Sequence, residues 1–139
     1  MIIDAHAHVG RWKETSFSKR ETTLNDADAD FVASGVDGAL VMPTDEADNA
    51  GLLAAIKARN GGGPVSYRLC AWVDPRVDDN ESWILSNSSD IAALKIHPSF
   101  LRMRPTDDAL RRTYELAGEH GWPVLVHCGR WQEMSSWKI

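Results

Sequence analysis

Five histidines and one lysine carry the chemistry this sequence can be read for: His6, His8, His97, His120, His127 and Lys95. His6 and His8 stand two apart in an apolar stretch. Side chains alternate with period two along a strand, so both imidazoles project from one face. Two neutral imidazoles on one face can ligate a divalent metal, zinc and its neighbours above all. Asp4 has the same parity and could accept a hydrogen bond from a ligand histidine. An isolated H-x-H also arises by chance, its rings making ordinary hydrogen bonds. Other histidines at equivalent strand ends tip the reading toward metal. His127 closes an apolar run and would face the same way if its parity is inward; otherwise it is a core histidine satisfied by a carbonyl. His120 sits beside Gly121 at a helix end, where a cation suits the dipole, and reads as structural.

Lys95 and His97 are again two apart. A lysine inside a strand is expensive to bury without a partner, which makes it a candidate catalytic group together with His97. Lys95 could pair with Asp4, contact an anionic substrate, become a carbamate ligand, or simply pack its stem and pair with a carboxylate. Arg130, in the loop after the last strand, could grip a substrate carboxylate by its planar fork, although a solvated arginine looks the same in sequence. Trp12 and Trp131 fall in loops at the same end and could wall a pocket for substrate. Cys128 reads as a small buried apolar residue. The sequence has no phosphate-binding glycine loop, no G-x-S-x-G elbow and no C-x-x-C pair.

The elements that must hold these groups are short apolar runs bounded by turn residues. Strand signals cover 2–9, 37–42, 66–73, 91–97 and 124–127. Between them Leu24, Ala27 and Phe31 form one helical stripe, closed by Gly35, and Leu52, Leu53 and Ile56 form a second. Leu110, Tyr114 and Ala117 form another, with Thr106 a plausible N-cap and Asp107 and Asp108 in its first turn. A short helix around Trp83 and one over 131–139 complete the pattern. Strands alternating with helices predict an α/β fold, a parallel βα repeat with right-handed crossovers. A (β/α)8 TIM barrel needs about 250 residues. The 139 residues here hold about five of its eight strands, so the expectation is an incomplete barrel or a smaller open sheet.

Composition narrows the function classes. Lys plus Arg is 15 against 20 Asp plus Glu, a net charge of −5, with no basic cluster to bind nucleic acid. No apolar run approaches the ~18 residues that span a bilayer. The early Asp4 and the lack of a basic segment argue against a secretory signal. Two cysteines build no disulfide framework, so a reducing cytoplasm is the expected compartment.

Three stretches, IIDAHAHVG at 2–10, ALKIHPSF at 93–100 and PVLVHCGRW at 123–131, resemble the amidohydrolase-related family of metal-dependent TIM-barrel hydrolases. The nearest branch is the one that also contains decarboxylases of the aminocarboxymuconate-semialdehyde type. The resemblance implies that His6, His8 and His127 ligate a divalent metal, with zinc the first candidate. It also implies hydrolysis of a small-molecule substrate or, alternatively, metal-dependent non-oxidative decarboxylation. Lys95 matches the K-x-H-P lysine of related hydrolases. The family's later histidine and its catalytic aspartate are not in the sequence. Residues 1–139 are therefore expected to be the N-terminal part of one such barrel domain, a fragment that lacks a catalytic group and whose open sheet edges invite homo-oligomers.

Overall fold

The structure is a computed structural model and describes residues 1–12 and 21–129. The chain runs β1 (Ile3–Arg11), β2 (Glu21–Thr22), α1 (Leu24–Ala33), β3 (Gly38–Pro43), α2 (Asn49–Asn60), β4 (Ser66–Trp72), α3 (Asp78–Ser86), β5 (Ile91–Ile96), α4 (Pro98–Leu101), α5 (Arg111–His120) and β6 (Val124–Val126). The sheet order is β2-β1-β3-β4-β5-β6. All neighbours are parallel except β2, which pairs antiparallel with the end of β1 through Gly10 and Arg11. Five parallel strands in chain order, each but the last followed by a helix, make a parallel βα repeat like part of a (β/α)8 barrel, as the alternation predicts.

The two faces of the sheet differ. Ala39, Val41, Tyr67, Leu69, Ala71, Leu94 and Ile96 point to the helices and form the main core with Leu52, Leu53 and Ile56 of α2. The alternate positions form a second, inner cluster of Met42, Cys70 and Ala93, with Leu40 and Leu125 against it. His8 pairs with Met42 and Lys95 with Trp72, which puts His8, its period-two neighbour His6, Trp72 and Lys95 on this inner face; the register of β1 shifts between Asp4 and Ala7, so Asp4 pairs with Ala39 and does not share the parity expected of it. Within a barrel it is the lumen.

Helix α2 is fixed to β4 at both ends by asparagine. The Asn49 amide donates to Trp72 O at 2.8 Å and accepts from Trp72 N at 2.7 Å. The Asn60 amide does the same for Tyr67, at 2.8 and 3.0 Å. Behind the sheet, Tyr67 Oη donates to Asp28 Oδ1 at 2.7 Å, and Arg59 pairs with Asp28 Oδ2 through both Nε and a terminal nitrogen. One buried carboxylate thus ties α1, α2 and β4 together. Burial and Asp28 push the Tyr67 phenol upward.

Helix ends follow their capping residues. Thr23 caps α1 in a reciprocal box with Asp26, and Asp48 caps α2. Gly121, at φ 66°, closes α5. Thr106 is not a cap: a 3-10 turn, Asp108–Leu110, precedes α5, which begins only at Arg111. At the end of β1, Gly10 adopts φ 124°, where an added Cβ would stand 3.3 Å from Thr44 Oγ1. That backbone lets the strand leave β3 and turn toward β2. No helix among the described residues is long and apolar enough to cross a membrane.

Candidate active site at the carboxyl edge of the sheet

His6 and His8, as their parity predicts, are neighbours: their ring centroids lie 5.2 Å apart. His8 Nδ1 is 2.9 Å from Pro43 O, the residue that ends β3. A carbonyl can only accept, so Nδ1 carries the proton and Nε2 keeps its lone pair. That is the orientation a metal-ligating imidazole needs. Asp4 takes a different role from the one expected, since its Oδ1 accepts from the backbone N–H of His6 at 2.8 Å rather than from a ring. Trp12 packs on His8 with ring centroids 5.0 Å apart, which places it at the site.

Lys95 is 1% exposed. It does not pair with Asp4. Its Nζ lies 3.2 Å from His6 Nε2, and no carboxylate of the described residues lies within ion-pair distance. The ammonium donates and His6 Nε2 accepts.

His97 and His127 form a second pair, stacked at 3.8 Å with an interplanar angle of 13°. Trp72 extends the stack, its centroid 5.8 Å from His97. His97 Nδ1 accepts from Phe100 N at 3.1 Å and caps α4. The acceptor nitrogen is therefore Nδ1, and the neutral ring carries its proton on Nε2. His127 folds back on its own loop. A Cβ on Gly129 would come within 2.8 Å of His127 Nε2, so the absence of a side chain at 129 makes room for the ring.

All four rings are held toward the neutral form. Burial is the first cause for each. His8 is pushed down to about 4 by burial, with Lys95, His6 and His127 adding and the Pro43 hydrogen bond opposing. His97 is also pushed down to about 4, by burial, then His127 and Lys95. His6 and His127 are lowered, Lys95 adding to burial in both. Burial likewise lowers Lys95 and pushes the Cys70 thiol up to about 12, which leaves it inert.

The four strand-end histidines and Lys95 thus gather at one end of the sheet, but they do not form a closed ligand set. Among the described residues no three His, Cys, Asp or Glu side chains are placed to hold a metal ion together. His6 and His8 fit such an ion in chemistry and spacing, while His127 is turned to Gly129 and Lys95 covers His6 Nε2. Arg130, Trp131 and the helix expected over 131–139 lie outside the described residues. Cys128 is exposed rather than buried: it lies past the end of β6, where strand parity no longer decides direction. His120 is structural, stacked on Trp122 at 4.2 Å.

Sequence reasoning missed Trp72. Its apolar neighbours gave no sign that the indole sits on the inner face beside Lys95. A cavity of about 280 Å³ between α3 and α5, lined by Asp74, Asn80, Glu81, Leu94 and Arg112 among others, lies on the helical side of the sheet, away from the histidines. Arg112 bonds to Glu81 across it at 2.9 Å.

No protein-family model matches the chain, and no curated protein sequence matches it. Among solved structures it is similar to a protein from Acinetobacter baumannii described as a probable 2-pyrone-4,6-dicarboxylic acid hydrolase and crystallised with citric acid bound. The TM-score is 0.65 at 17% sequence identity, over 91% of this chain and 49% of the other. The chain thus spans about half the length of the structure it matches, and what the two share is the fold: a parallel α/β sheet built as part of a TIM barrel.

Proposed function

We propose that this chain carries the metal-holding end of a small-molecule hydrolase site, with His6, His8 and His127 as ligands and Lys95 beside them. The observation that carries the reading is the His6–His8 pair on the inner face at the carboxyl edge of a parallel sheet. There His8 is oriented by Pro43 so that Nε2 keeps its lone pair. Sites in parallel α/β folds are built at this edge. The similarity to a probable 2-pyrone-4,6-dicarboxylic acid hydrolase supports the same reaction class.

A divalent ion bound here, zinc first among the candidates, would polarise a scissile carbonyl and make water a better nucleophile near neutral pH. The chain's own residues do the rest. Pro43 fixes His8. His6, His8 and His127 would hold the ion, for which His127 would have to turn from Gly129 and Lys95 from His6; Lys95 would keep its positive charge next to the site. His97, with Nδ1 occupied by the α4 backbone, offers a donor rather than a base. Trp12 walls the site at His8, and Arg130 is the remaining candidate for substrate contact.

The test is turnover of small lactones and esters bearing a carboxylate, with and without added zinc or manganese, by the wild type and His8→Ala. Metal-dependent hydrolysis that falls by more than ~100-fold in the variant supports the reading. Metal-independent turnover, or an unaffected variant, overturns it. Release of carbon dioxide in place of hydrolysis would favour the decarboxylase alternative, in which the same charged groups orient a substrate carboxylate.

A further inference from the structure

The cavity between α3 and α5 lies outside the histidine site and has a polar group that the fold leaves unused. Its floor is buried and apolar: Val73 after β4, Ile84 of α3, Leu94 of β5 and Leu116 of α5. Its rim, with Asp78, Glu81 and Arg112, is exposed. One floor residue breaks the apolar pattern. The buried stripe that runs into α5 reads Leu110, Thr113, Leu116 and Ala117, and Thr113 is 4% exposed. A helical threonine can turn its hydroxyl onto the carbonyl four residues back. The Thr113 hydroxyl has no hydrogen-bond partner among the described residues, and it is not sealed off as the Trp72 indole N–H is. What it opens on is the cavity it lines.

A buried hydroxyl without a partner is destabilising, and valine has nearly the same shape without that penalty. The stripe therefore does not explain a threonine; a ligand that brings a polar group into the cavity does. The rim sets the charge of that ligand. Arg112 is answered by Glu81 and Glu119, each at 2.9 Å, with Glu115 at 3.7 Å. Asp74 is answered by Arg76. Asp78 has no ion-pair partner among the described residues. Three glutamates on one guanidinium, with Asp78 beside them, leave the mouth negative. The α3 dipole accounts for acids in that helix's first turn, but not for Thr113 beneath them. Size sets the rest: a cavity of about 150 Å³ takes a benzene ring, so about 280 Å³ takes a ring with a short side chain.

We propose that this cavity binds a small hydroxyaryl ammonium ion, its ring between α3 and α5, its hydroxyl on Thr113 and its ammonium at the acidic rim. The Thr113 hydroxyl both donates and accepts, so it meets a phenolic O–H in either sense. The ammonium brings three donors and a positive charge to a rim of carboxylates. An acid of the same shape would set its carboxylate against that negative rim. The site lies on the opposite side of the sheet from the histidines and stands whatever reaction they carry.

Calorimetric titration of the 139-residue chain with tyramine tests this. Phenethylamine, which lacks the hydroxyl, and para-hydroxyphenylpropionate, which exchanges the ammonium for a carboxylate, are the comparisons. The wild type should bind tyramine about fivefold more tightly than phenethylamine, and the propionate not saturably. Thr113→Val keeps the shape and should erase the preference for tyramine. Asp78→Asn should weaken both amines about threefold at low salt. Thermal melts establish that the variants are folded; Asp78→Asn changes an exposed residue and decides if Thr113→Val does not fold. Folded His8→Ala should bind tyramine as the wild type does. No saturable tyramine binding, equal binding of the propionate, or a tyramine preference kept by folded Thr113→Val would each overturn the proposal. So would unchanged amine affinity in Asp78→Asn, or loss of tyramine binding in folded His8→Ala. The hydrolase reading fails separately: it falls if His8→Ala keeps its turnover, whatever tyramine does at Thr113.

Discussion

Acidifying the metal-free chain probes the electrostatics of the site through His97. This ring is 5% exposed, and its pKa is pushed down from 6.5 to about 4, by burial first and then by His127 and Lys95. In the unfolded chain it titrates at its ordinary value of about 6.5. Between those two values the unfolded state binds a proton that the folded state refuses. The stability that depends on a neutral His97 is therefore complete above about 6.5 and is lost as the pH falls toward about 4. At about pH 5 the two titrations differ by about 2 kcal/mol. A chain of this length gains about 0.3 kcal/mol per kelvin of unfolding entropy, so His97 alone lowers Tm by ~7 °C between about pH 7.5 and pH 5. His97→Asn isolates the effect. Asparagine can still accept from Phe100 N as an N-cap and does not titrate. Circular-dichroism melts of both proteins at the two pH values, in excess EDTA, give the answer. The wild type should lose ~7 °C more than the variant on acidification. Equal losses would refute the assignment of a buried neutral imidazole to this position.

Two further substitutions test the scaffold and the site. Arg59→Met leaves the buried Asp28 carboxylate with Tyr67 as its remaining hydrogen-bonding side chain. It should cost about 2–4 kcal/mol in a urea titration, discounted from a fully buried pair because Arg59 is partly exposed; a loss below about 0.5 kcal/mol would show that the pair is not structural. Gly129→Ala puts a Cβ into the space of His127 Nε2 and should swing that ring off its loop. Tm should change by less than ~3 °C, while zinc affinity, measured by competition with a chelating dye, rises by about fivefold as the third imidazole is released; unchanged or weaker zinc binding would contradict the fold-back as the obstacle.

The parallel sheet was legible because its strands are short apolar runs fenced by proline and glycine. The observed strands begin within a residue of the expected positions, and β1 alone runs two residues further than expected. What escaped the sequence is whatever depends on a distant partner. Strand β2 is two polar residues, Glu21 and Thr22, with no pattern of their own; β1 makes them a strand. Helix α4 is a single turn whose cap is His97, a residue read for chemistry and not for capping. The late start of α5 follows from Asp108–Leu110 taking 3-10 geometry, which propensity alone does not separate from helix. In the site, period two put His6 beside His8. It could not say that Lys95 would meet His6 rather than Asp4, or that His127 would turn onto Gly129. Those outcomes are set by side-chain rotamers and a loop backbone. Strand periodicity stops at Val126, so it misassigned Cys128 as buried.

The proposed site requires that His6 and His8 share a divalent cation. The most direct measurement is bound zinc per chain after dialysis against a zinc buffer, for the wild type and the His6→Ala, His8→Ala double variant, each confirmed as folded by its melt. The prediction is an equimolar ion in the wild type and none in the double variant. Equal zinc in both, or none in either, would contradict it.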